Sequence, residues 1–316
     1  PAAQMLPRVW LQNYTWRDEQ TWRWRQQAEL PPATLAIRSP FDADVRFSQK
    51  RETQWVGYKV HLTETCDPDA PQIITPVATS AAPIAAGNLT APIHAALEAK
   101  DLLPSDHLVD TAWLDAELLV DSQRDYQVNL VGPTRRDTGW QARQAGNQFA
   151  IKDFQIDWEH RGAICPAGRR SQFWMPALDS HGQEVIQIKF SKRECRACAV
   201  QSQCTRSHPP RRAITVQPEA RYKALLAARE REASPAFADQ YALRAGIEGT
   251  LSHGVRSFDL RRARYLGKIK THLQHLLIAM SMNLARIGRW LAAEPLAQVR
   301  PSAFKRLHSV PATAPA

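Results

Sequence analysis

Long uncharged apolar runs are missing from these 316 residues, and so is an amino-terminal signal peptide. The first absence excludes a membrane-spanning helix, because a span needs about 20 consecutive apolar residues. The second absence gives no reason to place the protein outside the cell, and we therefore expect a cytoplasmic protein. Cysteine is scarce as well, with five residues, and a disulfide framework is not expected in that compartment.

Acidic residues are scarce in the last quarter of the chain. From Tyr241 to Ala316 there are 12 Lys or Arg but three Asp or Glu, while the whole sequence carries a net charge of +10. Nearly all of the excess positive charge therefore lies in this quarter. A localised basic surface is typical of proteins that bind nucleic acid or an anionic membrane. The apolar fraction of 44% is normal for a soluble globular protein.

The apolar pattern predicts an α/β domain in the first half of the chain. Val56, Tyr58, Val60 and Leu62 alternate with polar residues, as in a half-buried strand. The predicted elements are strands at 55–65 and 73–79, a helix around 89–97, a strand at 107–110, a helix at 115–125 and a strand at 126–131. This order favours a layered α/β fold in which the later strands run parallel. Asp110 closes one of these strands, where it can cap the next helix, face a ligand beyond the strand end, or do both.

The second half changes character. Short strand-like pieces at 154–158 and 184–190 predict a β-rich segment, and a helix at about 219–232 returns the chain to the core. A long amphipathic helix at about 268–291 follows. Six apolar residues are predicted to form its buried stripe: Ile269, Leu273, Leu276, Leu277, Met280 and Leu284.

These patterns divide the chain into five segments. They are an irregular amino-terminal segment (1–54), the first part of the core (55–134), a β-rich insert with cysteines (135–232), the second part of the core (233–292) and a disordered tail (293–316).

One stretch near the carboxyl terminus combines several groups suited to a metal or a phosphate. Tyr241, Arg244 and Glu248 are spaced three and four apart, which places them on one face of a predicted helix. The simpler interpretation is a solvated face with one salt bridge. The residues that follow favour a polyphosphate ligand, because they form a basic run. Its members are Arg256, Arg261, Arg262 and Arg264.

Tyr241-x2-Arg244-x3-Glu248 resembles the signature Y-x2-R-x3-E-x6-K of insertion-sequence DDE transposases. The lysine position of that signature is Val255 here, and the nearest cation is Arg256. Leu108-Val-Asp110-x2-Trp113 resembles the second-aspartate motif of the same family, with Ala112-Trp113 in place of the usual Gly-Tyr. The phrases around Glu248 also resemble the branch of the family that has a cysteine-bearing insert.

The resemblance implies a ribonuclease H-like mixed sheet flanked by helices and interrupted by a small β-rich, cysteine-containing insert. It implies DNA transposition, with strand cleavage and transfer by a two-metal DDE mechanism using Mg²⁺ or Mn²⁺. Asp110 and Glu248 would be the second and third carboxylates, supported by Tyr241 and Arg244. The four arginines of the basic run would bind DNA phosphates at the transposon ends and target. Whether the protein forms a homodimer stays open.

The first aspartate of the DDE set has no counterpart in this sequence. The family carries it in a phrase like Asp-Ser-Thr, which does not occur here. Asp42 and Asp44 are the nearest candidates, but they match an acidic turn elsewhere in the family pattern. Together with a first residue, Pro1, that is not methionine, this predicts a carboxyl-terminal fragment with impaired catalysis. The alternative is an inactive transposase remnant that only binds DNA.

The cysteines suggest a metal site within the insert. Cys195-x2-Cys198 is a turn-compatible ligand pair, Cys204 follows it, and Cys165-Pro-Ala-Gly168 is a possible single-ligand knuckle. Four thiolates suit a structural Zn²⁺, although an iron–sulfur cluster and isolated packed thiols are also compatible with the spacing. Cys66 is expected to pack at a strand end.

Overall fold

The computed structural model describes residues 2–18, 21–144, 146 and 148–294. It begins with helix α1 (Ala2–Asn13) and a small antiparallel hairpin formed by β1 (Tyr14–Trp16) and β2 (Trp22–Trp24). Cross-strand aromatic pairs hold this hairpin, with ring centroids 4.5 Å apart for Tyr14 and Trp24 and 4.0 Å apart for Trp16 and Trp22. The expectation of an irregular segment over 1–54 is therefore wrong for this part, because three-residue strands are too short to show an alternating pattern.

An antiparallel sheet follows in the order β3-β4-β5. Its strands are β3 (Arg46–Lys50), β4 (Thr53–Glu64) and β5 (Ile74–Ala81). The long central strand pairs first with β3 and then with β5, and the register shifts between Leu62 and Glu64. β4 and β5 correspond to the strands predicted at 55–65 and 73–79. The shift lies opposite the part of β5 that contains Pro76, where a proline removes one ladder hydrogen bond.

The next four elements form a βαβ unit beside this sheet. They are α2 (Thr90–Glu98), β6 (Asp106–Leu108), α3 (Ala116–Tyr126) and β7 (Asn129–Val131). β6 and β7 run parallel, as predicted, and Val109, Leu114, Leu119 and Leu130 pack in one buried cluster beneath them. The mixed α/β class is thus confirmed. In the described residues no ladder joins β4 to β6, so the single continuous sheet implied by the resemblance is not formed.

Residues 135–232, called the β-rich segment below for their two small antiparallel sheets, include a buried cluster of their own. The segment contains α4 (Trp140–Arg143), β8 (Gln155–Asp157), β9 (Gly162–Ile164), β10 (Phe173–Leu178), β11 (Glu184–Lys189), α5 (Lys192–Arg196), α6 (Gln201–Cys204), β12 (Ala213–Val216) and α7 (Glu219–Glu232). β8 pairs with β9, and β10, β11 and β12 form an antiparallel sheet. Phe154, Ile188, Phe190 and Ile214 are buried together at its centre. α7 then packs against α3 of the βαβ unit.

Two helices replace the single helix predicted around Tyr241. α8 (Pro235–Ala242) ends before Arg244, and α9 (Ala245–Ser257) begins after it. The junction is tightened by hydrogen bonds of the i to i+3 type, such as Arg244 N–H to Tyr241 O (3.1 Å) and Ile247 N–H to Arg244 O (3.2 Å). Arg244 keeps right-handed helical dihedral angles. The face shared by Tyr241, Arg244 and Glu248 therefore survives the interruption.

α10 (Lys268–Leu291) has the predicted length, but the face predicted to be buried is exposed and the opposite face is buried. The six apolar residues predicted to be buried are all exposed, Ile269 by 86% and Leu284 by 62%. The buried face is mainly polar instead, because its side chains have hydrogen-bond partners on β5 and in the preceding loop. Thr79 Oγ1 lies 2.8 Å from His275 Nδ1, and the side chain of Asn283 bonds both main-chain groups of Ile74. Ala279 and Met282 supply the apolar contacts of this face.

The remaining short elements are 3-10 turns at Gln27–Glu29, Ala86–Leu89, Thr111–Trp113 and Ile151–Asp153. Of the tail predicted at 293–316, residues 295–316 lie outside the described residues. Across the described part of the chain, none of the helices combines the length and apolarity that a membrane crossing requires.

Candidate active site

Asp110 lies two residues beyond β6, where the main-chain ladder ends. Val109 N–H still donates to Val131 O (2.8 Å), and the chain then turns into the Thr111–Trp113 segment. Oδ1 of Asp110 accepts the N–H of Ala112 (2.8 Å), so the carboxylate caps this turn. Its other oxygen, Oδ2, points toward Arg244. Capping and a functional role are thus compatible, since each uses a different oxygen.

Arg244 links the two predicted catalytic carboxylates. Its guanidinium lies 3.7 Å from Asp110 Oδ2 and 3.4 Å from Glu248 Oε1. The structure therefore brings together two carboxylates that are 138 positions apart in the sequence. Arg244 is mostly buried, whereas Asp110 and Glu248 are open to solvent. The arrangement is a small acidic site with one resident cation and access from outside.

Tyr241 completes this group. The Arg244 guanidinium carbon lies 5.8 Å from the centroid of the Tyr241 ring, and Phe237 stacks on the ring at 5.3 Å. Partial burial raises the pKa of Tyr241, while the adjacent Arg244 acts in the opposite direction. The phenol therefore stays protonated at neutral pH and is available as a hydrogen-bond donor.

A polar network fixes the helix that carries Glu248. The side chain of Glu64, at the end of β4, accepts hydrogen bonds from Thr250 Oγ1 (2.6 Å) and from Arg286 Nη1 (2.9 Å). The Glu64 side chain is 6% exposed, and it joins β4, α9 and α10 at one point. Sequence reasoning missed this residue. No local pattern marks it, because β4 alternates apolar with polar residues and Glu64 is one of several polar side chains on that strand.

An open groove separates β4 from β6 and extends to Asp110. It consists of two adjoining cavities of about 320 and 180 Å³. Leu62, Thr63, His107, Leu108 and Arg244 line both of them. At its Asp110 end, the Trp113 ring packs edge-on against His61 with centroids 5.2 Å apart. The substituted Ala112-Trp113 pair thus contributes an aromatic contact to the wall of the site.

Both strands present an unpaired main-chain edge to this groove. Ala82 N–H donates to Gly57 O (3.2 Å). Because alternate residues of an antiparallel strand bond the same neighbour, the main-chain groups of Lys59 and His61 also face β5. The main-chain groups of Val60 and Leu62 face away from β5, into the groove. β3 pairs with β4 only up to Gly57. On β6 the Val109 bond to Val131 leaves the main chain of Leu108 directed into the groove. Among the described residues, no strand occupies the space between these two edges.

Asp42 and Asp44 serve a different structural purpose. Asp42 is buried, and its carboxylate accepts hydrogen bonds from Tyr58 Oη (2.8 Å) and from Gly267 N–H (2.8 Å). Asp44 Oδ2 accepts the N–H of Lys268 (3.3 Å). The two carboxylates therefore hold the amino terminus of α10, where the helix dipole favours negative charge. Neither contacts Asp110 or Glu248 in the described residues.

The predicted basic run lies after Glu248 on the surface. Arg256 ends α9, and Arg261, Arg262 and Arg264 follow in the loop before α10; all four are exposed. Arg264 is partly neutralised by Asp259, at 2.8 Å. The loop is anchored by Gln274, whose amide bonds Arg262 O (2.7 Å) and Arg264 N–H (2.9 Å). The arginine side chains thus project from a fixed backbone.

The four predicted thiol ligands line one small cavity in the β-rich segment, whereas Cys66 lies elsewhere, beside the end of β4. The described residues contain no group of three or more His, Cys, Asp or Glu side chains already arranged to hold a metal ion. This applies both to the thiols and to the carboxylates.

Comparison with protein families gives one match. Residues 164–288 match a family model described as a transposase DDE domain. The match includes the four clustered cysteines, Tyr241, Arg244, Glu248 and the basic run, but it begins after Asp110 and covers less than half of the chain. It supports a DDE transposase, a function in transposition, a DNA substrate and the use of divalent metal ions. No curated protein and no solved structure matches the chain.

Proposed function

We propose that this chain provides the second and third carboxylates of an insertion-sequence DDE transposase, Asp110 and Glu248. The single observation that carries the proposal is the guanidinium of Arg244, which contacts both carboxylates although they lie on separate elements. The family match contains Glu248 but not Asp110, and the contacts of Arg244 with both carboxylates support the proposal that they belong to one site.

The donor set suits Mg²⁺ or Mn²⁺, since hard divalent cations prefer carboxylate oxygens. Asp110 offers Oδ2 while Oδ1 is held by Ala112, and Glu248 is exposed and offers Oε2 while Oε1 contacts Arg244. Bound metal would activate a water or a 3′-hydroxyl and stabilise the leaving oxygen of a phosphodiester. Arg244 and Tyr241 would orient Glu248 and contact the DNA backbone near the cut.

A complete DDE site requires one more carboxylate, and the groove between β4 and β6 is the place for it. A strand lying in this groove would pair with the free main-chain edges of Leu62 and Leu108 and would pass beside Asp110. We propose that the first aspartate is carried by such a strand, supplied from outside these 316 residues. Asp42 does not replace it, because its carboxylate is occupied by Tyr58 and α10.

The chain by itself is therefore expected to bind DNA and to cut it poorly. The test is a nicking assay on supercoiled DNA with Mg²⁺ or Mn²⁺. If the chain alone cuts efficiently and Glu248→Gln abolishes the cutting, the missing-carboxylate part of the proposal is wrong and the enzyme assignment stands. If a longer chain that includes the upstream sequence cuts and its Glu248→Gln variant does not, both parts are supported. Cutting that is unaffected by Glu248→Gln in either chain overturns the site.

The alternative function is that of an inactive remnant that only binds DNA. Both functions require the exposed arginines after α9 to contact phosphates, and such contacts make binding strongly dependent on salt. Replacing both Arg261 and Arg262 with alanine is expected to lower the slope of log affinity against log salt by about 2. The matched control removes the exposed Arg193 and Arg196 of α5 instead. An unchanged slope in the first variant would show that DNA binds elsewhere.

We also propose a homodimer, formed through the exposed apolar face of α10. The exposed residues Ile269, Leu273, Leu276, Met280 and Ile287 recur at intervals of three, four or seven, which is the spacing of helix pairs that pack knobs into holes. A contiguous apolar face of this kind marks an interaction site in a soluble protein. In such a dimer the same face of a second copy would pack against it about a twofold axis.

A further inference from the structure

Four of the five cysteines converge on one cavity, which the transposition chemistry leaves unexplained. Cys165 follows β9, Cys195 lies in α5, Cys198 lies in the next turn and Cys204 ends α6. All four line a cavity of about 30 Å³, roughly the volume that one water molecule occupies in the liquid. Every cysteine in the chain is a free thiol. The cavity therefore has the size and the ligand atoms for a single ion.

The main chain around two of these thiols already has the hydrogen bonds that stabilise thiolates. Arg169 N–H donates to Cys165 Sγ at 3.4 Å, and Arg212 N–H donates to Cys195 Sγ at 3.5 Å. The first bond is made possible by a tight turn, in which Gly168 N–H donates to Cys165 O (2.8 Å) and Gly168 adopts a φ of +75°. Such N–H···S bonds orient metal ligands from outside the coordination shell.

The groups around the cavity also suit a metal held by thiolates. Arg169 and Arg212 line the same cavity as the four cysteines. A Zn²⁺ ion with four thiolate ligands has a net charge of −2, which two guanidinium groups would balance. Cys165, Cys195 and Cys204 pack against the buried cluster that contains Phe154, Ile188, Phe190 and Ile214, so an ion bound in the cavity would tie α5 and α6 to this core.

We propose that Cys165, Cys195, Cys198 and Cys204 bind one structural Zn²⁺ that ties β9 to α5 and α6. The thiols line the cavity, but among the described residues no three of them are arranged to hold a metal ion, so binding requires the cysteine side chains to turn toward a common point. Four protein ligands leave no open coordination position, which makes the site structural and not catalytic. The fifth cysteine, Cys66, plays no part.

The test measures metal content and not DNA cleavage, so its outcome is independent of the proposed function. The full chain is purified without added metal chelators, and zinc and iron are quantified by mass spectrometry. We expect about one zinc per chain for the original sequence and for Cys66→Ser, and at least tenfold less for Cys198→Ser. Removal of zinc by a chelator is expected to lower the thermal midpoint of the original chain by roughly 10 °C or more, and added Zn²⁺ should restore it.

Three results would overturn the inference. One is a folded original chain that contains no metal and whose thermal midpoint does not respond to Zn²⁺. Another is equal zinc loss in Cys66→Ser and Cys198→Ser. The third is iron with acid-labile sulfide in place of zinc, which would show an iron–sulfur cluster. If Cys198→Ser does not fold, the chelation and restoration of the original chain decide the question.

Discussion

Replacing Arg244 with methionine tests whether Asp110 and Glu248 form a divalent metal site. The guanidinium now lies 3.7 Å from one carboxylate and 3.4 Å from the other, in the space where a shared ion would be bound. Methionine keeps much of the length of the side chain and removes its charge. We expect the variant to bind Mn²⁺ more tightly than the original chain, because the resident positive charge competes with the metal.

The size of the effect follows from the distances and the exposure of the groups. Two unit charges about 4 Å apart interact by about 1 kcal/mol in water and about 4 kcal/mol near a protein surface. Asp110 is 45% exposed and Glu248 is 74% exposed, so the lower value applies. A divalent ion at this distance from Arg244 would thus be repelled by about 2 kcal/mol, less with added salt. The expected gain in Mn²⁺ affinity at low ionic strength is about thirtyfold, and it is smaller when salt is added.

Titration of Mn²⁺ at low ionic strength, followed by electron paramagnetic resonance of the free ion, measures this affinity. Arg256→Met removes the same charge from an exposed position outside the Asp110–Arg244–Glu248 group and serves as the control, with an expected change of less than about twofold. Adding Asp110→Asn to the Arg244→Met variant should abolish the gain. Weaker Mn²⁺ binding by Arg244→Met would refute the reasoning, since it would show that the orienting effect of Arg244 on the carboxylates outweighs its competition with the metal.

Two further predictions concern stability and assembly. Burial lowers the pKa of His61, His107 and His275 to about 4. Because these values lie below the unfolded value near 6.5, the contribution of the three neutral histidines to stability is complete above pH 6.5 and is lost as the pH falls toward 4. The free energy of unfolding should fall by up to about 1.4 kcal/mol per pH unit for each histidine. Urea unfolding at pH 7 and pH 5 checks this, and equal unfolding free energies would contradict it. For the dimer, the double replacement of Leu273 and Leu277 with glutamate should give a monomer in light scattering. The control, Leu178→Glu at an exposed leucine of β10, should leave the dimer intact. A monomeric original chain would contradict the proposed interface.

Local apolar patterns in the sequence predicted several strands and helices at their observed positions. The alternation in β4, the short apolar run of β6 and the helix at Glu219–Glu232 appear where the sequence indicates them. The parallel pairing of β6 and β7 follows from their connection through α3. The Tyr241-to-Glu248 spacing placed three side chains on one face, and that face persists because Arg244 stays helical at the junction. Pairing partners far apart in sequence, such as Glu64 and Arg286, left no local signal.

The position of Asp110 beside Glu248 was expected from resemblance and not from any spacing. No periodicity relates a strand end to a helix 138 residues later. The structure relates them through Arg244, which reaches both carboxylates from the junction of α8 and α9. The role of these residues in cleavage stays a prediction until the Glu248→Gln assay is done.

The orientation of α10 shows why periodicity failed at one particular helix. A helical pattern identifies residues that share a face, but it does not say which face is turned inward. Here the inward face is polar, and its side chains are satisfied by specific partners: His275 by Thr79, Asn283 by Ile74 and Arg286 by Glu64.

One of these bonds also fixes the candidate active site. Glu64 accepts hydrogen bonds from Thr250 of α9 and from Arg286 of α10. The polar face of α10 is thus connected through Glu64 to α9, the helix that carries Glu248. Turning the apolar face inward would bury more hydrocarbon but would break this connection. Removing Arg286 alone would leave the Glu64 carboxylate buried without a cation, a loss that typically costs 3–5 kcal/mol. The polar face of α10 is therefore turned inward, where it helps to fix the helix that carries Glu248. Its apolar face is left exposed as a packing surface.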